Sequence, residues 1–256
     1  MIYLDNSATT RTLDAAADEA RKYMSESFFN PSAAYSPAVE SERAVDSARA
    51  NLARVIGAKP EEIIYTSGGT ESNNAAINGA LAATRGTGRI IFGATEHPSV
   101  YEVMRSYSAK GYDVVEAPVD RTGAVDIEAL GALFTPETVF VSVMQVNNEV
   151  GAINDSAAIY SLVKKNAAGA LVHTDGVQGF LKCPFDARNC DFYSISGHKF
   201  HSPKGVGALY VKTGARFAGG QAGGGQENNR RSGTTNTPGI MGMDAAISDY
   251  TAHIDE

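Results

Sequence analysis

Apolar residues recur along this chain in two alternating patterns, one typical of helices and one typical of strands. In "LDAAADEARKYM", Leu13, Ala16, Ala20 and Met24 are spaced three or four positions apart, which places them on one face of a helix. The segment "AVESERAVDSARANLARVI" repeats this spacing, and Pro37 before it suits the first turn of a helix. Further helices are predicted around residues 70–83, 98–110, 126–134 and 156–166.

Seven short β-rich runs lie between and after these helices: "EIIYTS", "RIIFGA", "YDVVEA", "TVFVSVMQV", "ALVHT", "DFYSIS" and "VGALYV". Nearly continuous apolar strands that alternate with helices predict an α/β fold, with a mostly parallel sheet covered on both faces. Only "GHKFHSPKG" joins the last two runs, which is too short for a helical crossover. We therefore expect that pair to be antiparallel or not adjacent. The Gly-rich stretch 219–237 is interpreted as an ordered or site-forming loop.

Composition limits the class of protein. With 256 residues and 43% hydrophobic residues, the chain is long enough for one large domain with a buried core. The net charge of −7, without a block of lysine and arginine, argues against binding to nucleic acid or to an anionic membrane. No apolar run approaches the length of a membrane span, and "MIYLDNSATT" lacks the features of a signal peptide. Two cysteines form neither a disulfide framework nor a metal motif, so a cytoplasmic location is expected.

Polar side chains follow five of the predicted strands. In open α/β sheets, ligands bind beyond the carboxyl ends of the strands, so residues at these ends are candidates for one common site. The glycines and threonine of "TSGGTESNN" also begin a predicted helix, where free amide groups favour a phosphate. The candidates in chain order are Gly69, Thr70, His97, Asn148, Asp175, Gln178, Ser196, His198 and Lys199.

Taken singly, each candidate also has a structural interpretation, such as a turn, a helix cap or a solvated charge. Pyridoxal phosphate would use all of them together. It needs a cup for its phosphate, a lysine amine, a carboxylate near the pyridine nitrogen and a donor to its ring oxygen. A metal site is not predicted, because no third ligand accompanies His173 and Asp175 at a spacing typical of metal-binding motifs. A serine hydrolase is not predicted either, since the chain has no G-x-S-x-G motif.

The motifs resemble those of the NifS/IscS-type cysteine desulfurases, within the class V aminotransferase superfamily of fold type I. The matching stretches are "YLDNSATT", "NPSA", "EEIIYTSGGTESNNAAI", "TEHPSV", "NNEVGAI", "HTDGVQ", "SGHKFHSPKGVGALYV" and "GGGQENNRRSGTTNTPGI". They occur in the family's order and span nearly the whole chain. The resemblance implies a three-layer fold with about seven strands, and conversion of L-cysteine to L-alanine with the sulfur held on an enzyme persulfide.

The resemblance also implies a role for each candidate. Lys199 would attach the cofactor and move the proton at the substrate Cα, while His97 would stack on the ring and assist. Asp175 would pair with the pyridine nitrogen, Gln178 would donate to the ring oxygen, and Asn148 would contact cofactor or substrate. Residues Gly69, Thr70, Ser196 and His198 would hold the phosphate. Thr234 would reach the phosphate of the partner subunit in a homodimer.

Several features depart from the family pattern. Its catalytic cysteine and a substrate-binding arginine belong to a later, C-terminal part, whereas Cys183 and Cys190 are interpreted here as structural. Residues 1–14 would belong to a small domain whose C-terminal part is missing, and residues 15–256 would form the cofactor-binding large domain. Tyr35, in "NPSAAY", replaces the histidine of the family's "NPSSxH" pattern, which suggests a divergent member. His201 is interpreted as local structure.

The leading hypothesis is therefore a truncated or split cysteine desulfurase that binds pyridoxal phosphate and is inactive alone. It would act on L-cysteine or a similar amino acid, as a homodimer, with a sulfur-acceptor protein as a further partner. Two alternatives stay open. One is another class V lyase or aminotransferase, and the other is a non-catalytic scaffold subunit with the same fold.

Overall fold

The computed structural model describes residues 2–253 of the chain. Its helices are α1 Asp14–Ser25, α2 Ser36–Ile56, α3 Gly69–Ala82, α4 Pro98–Ser106, α5 Ile127–Ala132, α6 Ser156–Asn166 and α7 Thr237–Ala252. Its strands are β1 Ile63–Thr66, β2 Arg89–Gly93, β3 Asp113–Ala117, β4 Thr138–Ser142, β5 Leu171–Asp175, β6 Phe192–Ser196 and β7 Gly207–Val211. The predicted α/β fold with seven strands is confirmed. Short 3₁₀ turns, including Gly197–Lys199, connect some of these elements.

Local sequence accounts for several element boundaries. Helix α2 has a proline in its first turn and ends at Gly57, whose φ of 71° is the left-handed conformation that closes many helices. Helix α6 begins where the side chain of Asp155 accepts hydrogen bonds from the amides of Ala157 and Ala158, both at 3.0 Å. Both signals are local, and the predicted bounds of α6 agree with the structure.

The seven strands form one sheet with the order β1-β7-β6-β5-β4-β2-β3. Strands β2 to β6 pair in parallel, whereas β7 lies antiparallel between β1 and β6. The last two strands are adjacent and antiparallel, which is one of the two arrangements that the sequence predicts. Because β5 and β6 run the same way, Asp175 and Ser196 both end their strands at one edge of the sheet.

Helices cover both faces of this sheet, so the predicted three-layer architecture is confirmed. Neighbouring residues of a strand point to opposite faces, and β6 illustrates this: Phe192 packs with the residues of α3 and α4, and Tyr193 packs on the other side with α2 and α7. Both aromatic side chains are fully buried. Helices α5 and α6 continue the second layer over β4 and β5.

Helix α7 is not predicted by the sequence pattern. It packs against α1 so closely that a Cβ on Gly242 would lie 2.8 Å from the carbonyl oxygen of Ala16. Asn236 caps its first turn by accepting from the amide of Gly239 at 3.1 Å. Within residues 2–253, none of the helices combines the length and apolar character needed to cross a membrane.

The N-terminal segment before α1 lies against the turn that follows β6. The amide and hydroxyl of Thr10 both donate to the carbonyl of His198, at 2.9 Å each, and the amide of Leu13 donates to the carbonyl of His201. The predicted division into residues 1–14 and 15–256 stays a prediction. Residue 1 and residues 254–256 of those segments lie outside the described part of the chain.

Candidate active site

A cavity of about 890 Å³ opens at the carboxyl ends of the parallel strands. Its volume is in the range of small-molecule sites. Nine of the ten site residues predicted from the sequence line it: Gly69, Thr70, His97, Asn148, Asp175, Gln178, Ser196, His198 and Lys199. The tenth, Thr234, lies in the lining of a neighbouring cavity of about 230 Å³, which shares Ser67 and Gly205 with the large one.

One end of the cavity is formed where β1 turns into α3. Gly68 has a φ of 147°, and a Cβ on Gly69 would lie 2.6 Å from Cγ2 of Val177, so only glycine allows the chain to pass this close. Among the described residues, no side chain caps the first turn of α3, and amide donors of that turn therefore lack an intrahelical partner. Ser196 and His198 line the same cavity, so several donors suited to an anion surround it.

Asp175 provides a buried carboxylate at the end of β5. Its Oδ1 accepts from the amide of Val177 at 2.9 Å, and its Oδ2 accepts from Nδ2 of Asn73 at 2.7 Å. Burial raises the pKa of this carboxyl, while the hydrogen bonds from Val177 and Asn73 and the nearby charge of Lys199 oppose the rise. These partners favour the anionic form of Asp175.

A hydrogen-bonded chain links Asp175 to His97. Nδ2 of Asn73, which donates to Asp175, also donates to Oγ of Ser99 at 2.8 Å, and that hydroxyl lies 2.7 Å from Nδ1 of His97. The amide of Ser99 donates to the same ring nitrogen at 3.1 Å. Nδ1 is therefore an acceptor, which assigns the ring proton to Nε2 in the neutral tautomer. The sequence analysis misses both Asn73 and Ser99.

Glu96 is a second buried carboxyl beside the cavity, and the sequence analysis also misses it. Its Oε1 accepts from the amide of Met144, whereas its Oε2 has no hydrogen-bond partner within residues 2–253. Burial raises the pKa of Glu96 well above its usual range, and the charge of Asp175 raises it further. Of the two carboxyls, Asp175 has more donors, so its surroundings favour the anion, whereas those of Glu96 favour the protonated acid.

Lys199 lies in the turn after β6, and its ammonium group faces the N-terminal segment. Its Nζ donates to the carbonyl oxygens of Ser7 and Ala8, the latter at 2.8 Å. Nε2 of Gln178 donates to the same Ser7 carbonyl at 2.8 Å. Burial lowers the pKa of Lys199, although Asp175 and Asp5 act in the opposite direction. The neutral, nucleophilic form of the amine is therefore more populated at a given pH than in a solvated lysine.

The remaining candidates of the sequence analysis lie away from the cavity lining. Cys190 is fully buried, and burial raises the pKa of its thiol well above the usual range; Cys183 is partly buried. The ring of His201 lies 2.9 Å from the carbonyl of Arg11 and contributes to local structure. Tyr35 is exposed, with its ring against Phe29. Within residues 2–253, no cluster of three or more histidine, cysteine or acidic residues is arranged to hold a metal ion.

Comparisons with known proteins show the family of the chain. Residues 2–255 match the family model described as aminotransferase class-V. The chain is 40% identical to the cysteine desulfurase IscS of Methanosarcina thermophila over 258 aligned positions, covering 100% of this chain and 63% of that protein. It is 42% identical to a cysteine desulfurase of Sinorhizobium fredii, covering 96% of this chain and 64% of that protein. The chain thus spans less than two thirds of the length of these curated relatives.

Solved structures with similar folds also have related sequences. A structure titled NifS-like protein superposes with a TM-score of 0.96 at 38% identity, covering 99% of this chain and 70% of that one. A structure titled SspA in complex with cysteine superposes with a TM-score of 0.91 at 31% identity, covering 100% and 78% of the two chains.

Proposed function

Because this chain belongs to the aminotransferase class-V family, we propose that it is the pyridoxal-phosphate-binding part of a cysteine desulfurase. The whole protein would convert L-cysteine to L-alanine and leave the sulfur on an enzyme persulfide. One observation supports this most directly. An amine, a buried carboxylate and an uncapped helix amino terminus, provided by Lys199, Asp175 and Gly69–Thr70, line a single cavity.

The residues of the cavity fit this cofactor. Its phosphate would take the amides at the start of α3 and the side chains of Ser196 and His198, where the absence of a side chain on Gly69 keeps the backbone accessible. Its pyridine nitrogen would meet the carboxylate of Asp175, a group that already accepts two hydrogen bonds and is oriented by them. Gln178 offers N–H donors for the ring oxygen.

When bound, the cofactor supplies an electron sink for charge that develops at the substrate Cα. With the cofactor bound, Asp175 would keep a proton on the ring nitrogen, because its anionic form is the one stabilised by Asn73 and Val177. His97, whose orientation is fixed by its contacts with Ser99, would stack on the ring and assist proton transfer. Lys199 would attach the cofactor and move the proton at the substrate Cα, and Asn148 would contact cofactor or substrate.

Neither cysteine of this chain is placed to accept sulfur at the cavity. Cys190 is fully buried, and Cys183 does not belong to the cavity lining. We therefore expect these 256 residues to bind the cofactor without releasing sulfide from cysteine. Sulfide release that survives replacement of both cysteines would contradict this part of the proposal. Keto-acid formation without sulfide release would favour the alternative of another class V lyase or aminotransferase.

Reduction with borohydride tests the cofactor assignment. We expect absorbance of bound pyridoxal phosphate in the visible range, and mass spectrometry of the reduced protein should place the label on Lys199. The variant Lys199→Ala should lose the label, whereas Lys204→Ala, which changes another lysine of the cavity, should keep it. A label on Lys204, or no label with the cofactor in excess, would overturn the assignment and leave the scaffold hypothesis.

The proposed homodimer can be tested through Thr234. Its cavity adjoins the large one, which is consistent with a residue that completes a site at a subunit interface. We expect Lys199→Ala to abolish labelling and Thr234→Ala to weaken cofactor affinity. Mixed subunits of the two variants should recover one intact site per dimer, because each site would combine Lys199 of one subunit with Thr234 of its partner. If mixing restores no tight binding, Thr234 acts within its own subunit or not at all.

The remaining parts of the proposal concern the setting of the protein. We propose a cytoplasmic location, and a sulfur-acceptor protein as the partner of the complete enzyme. Residues 1–14 would join a small domain of that enzyme, and residues 15–256 would form its cofactor-binding domain.

A further inference from the structure

A strained turn follows the end of β5 and places Lys182, which is not part of the cavity lining, beside the lining residue Gln178. Leu181 has a φ of 65°, a left-handed conformation that leucine rarely adopts and that costs about 1–3 kcal/mol. The amides of Lys182 and Cys183 both donate to the carbonyl of Gly179, at 3.0 and 2.9 Å, so the chain closes a tight reversal here. The buried ring of Phe180 packs on Phe200, 4.9 Å between centroids, which anchors the turn.

The reversal brings the side chain of Lys182 back to Gln178. Nζ of Lys182 lies 3.5 Å from Oε1 of Gln178, although the residue itself is exposed. Desolvation of the ammonium group lowers the pKa of Lys182, and the nearby charge of Lys199 lowers it further. Among the residues that the structure describes, no carboxylate forms an ion pair with this ammonium group. The turn holds this exposed ammonium group beside the Gln178 amide, and backbone strain of this kind clusters at functional sites.

The contact between Lys182 and Gln178 determines how the side-chain amide of Gln178 is oriented at the cavity. A lysine ammonium group only donates hydrogen bonds, so the amide must present Oε1 to Lys182. The NH₂ end then points to the Ser7 carbonyl, 2.8 Å from Nε2. In the flipped orientation, the NH₂ group would face the ammonium and Oε1 would face the carbonyl, so both contacts would be repulsive.

We propose that Lys182 is a positioning residue that holds Gln178 with its N–H donors toward the cavity and adds a positive charge behind them. The inference rests on the proposed function, in which those donors meet the ring oxygen of the cofactor. A donor and a positive charge both favour the more negative protonation state of the bound cofactor. Lys182 therefore shifts the titration of the bound chromophore toward lower pH.

The test is a spectroscopic pH titration of the cofactor-loaded protein. Lys182→Met keeps the length of the side chain and removes its charge and donors, so the absorbance midpoint should rise by about 0.5–1 pH unit. Lys182→Arg keeps the charge and donors and should restore the midpoint of the parent protein. In a Gln178→Leu background, Lys182→Met should produce a smaller shift, because the amide through which it acts is gone.

The two proposals fail in distinguishable ways. If the parent protein carries no label on Lys199, the proposed function fails. If the parent is labelled but Lys182→Met leaves the midpoint unchanged or lowers it, only the role of Lys182 fails. The role of Lys182 also fails if Lys182→Arg shifts the absorbance midpoint as much as Lys182→Met does. Should the methionine variant not fold, Lys182→Gln, which is neutral and polar, is expected to raise the midpoint by a smaller amount, and an unchanged midpoint would refute the inference.

Discussion

Replacing Glu96 with glutamine should make the stability of the protein less sensitive to rising pH. Glu96 is buried, and its Oε1 accepts from the amide of Met144. Burial and the charge of Asp175 hold its pKa well above the ordinary value. Glutamine has nearly the same shape, keeps the acceptor for Met144 and cannot ionise. The substitution therefore removes the titration and leaves the packing.

The sign and size of the effect follow from proton linkage. Below the pKa of the unfolded chain, Glu96 is protonated in both states, and its contribution to stability is fully present. Above that pKa, the unfolded chain releases the proton while the folded protein keeps it, so the free energy of unfolding falls. The loss is about 1.4 kcal/mol per pH unit, until the pH passes the pKa of the folded state. From pH 5.5 to 7.5, the stability of Glu96→Gln relative to the parent should therefore rise, by at most about 2.7 kcal/mol over these two pH units.

Urea unfolding followed by circular dichroism at pH 5.5, 6.5 and 7.5 measures this difference. Asp175 is present in both the parent and the Glu96→Gln variant, so its own titration cancels from the difference between their free energies of unfolding. A matched control is Glu102→Gln, which makes the same chemical change at an exposed glutamate on α4. A difference between Glu96→Gln and the parent that stays constant, or shrinks as the pH rises, would refute the assignment of Glu96 as a buried neutral acid.

Two further substitutions test the packing around the site by the same unfolding assay. Gly176→Ala would place a Cβ 1.9 Å from the ring of Tyr193 and should cost about 1–3 kcal/mol, whereas Gly169→Ala meets nothing within 4 Å and should change stability by less than about 0.5 kcal/mol. If the two substitutions lowered the free energy of unfolding equally, the predicted clash between residue 176 and Tyr193 would be wrong. Glu227→Ala would leave the guanidinium of Arg49, 2.6 Å away and only 16% exposed, without its carboxylate and should cost about 3–5 kcal/mol. The double change with Arg49→Met should cost less than the two single changes together, and strict additivity would argue against the ion pair.

Helix caps and the spacing of apolar residues predict those helices and strands whose boundaries are set by residues nearby in the sequence. Helix α6 has a capping aspartate and one apolar face, and both are visible in the sequence. Helix α7 escapes prediction because glycine occupies two of its positions, and glycine disfavours helices in isolation. The structure explains one of them. At Gly242 the helix meets the backbone of α1, and no side chain fits between them. That constraint comes from a contact between opposite ends of the chain, which periodicity does not encode.

The same distinction applies to the site. The strand-end rule finds nine residues that line the cavity, because topology alone brings the carboxyl ends of parallel strands together. It misses Asn73, which lies within α3 and reaches Asp175 from the side. It also misses Ser7 and Ala8, which contact Lys199 through main-chain carbonyls and therefore leave no side-chain signal in the sequence.

The contact between the N-terminal segment and the turn after β6 has a consequence for how the protein acquires its function. The hydrogen bonds that join Thr10 to His198 and Ser7 to Lys199 connect residues 188 and 192 positions apart. Pairings of such long range form late, because most of the chain must be ordered before the loop between them closes. On the ribosome, the first ten residues emerge long before their partners are synthesised. Competence to bind the cofactor should therefore appear in the last step of folding, and cofactor absorbance in a refolding experiment would report its completion.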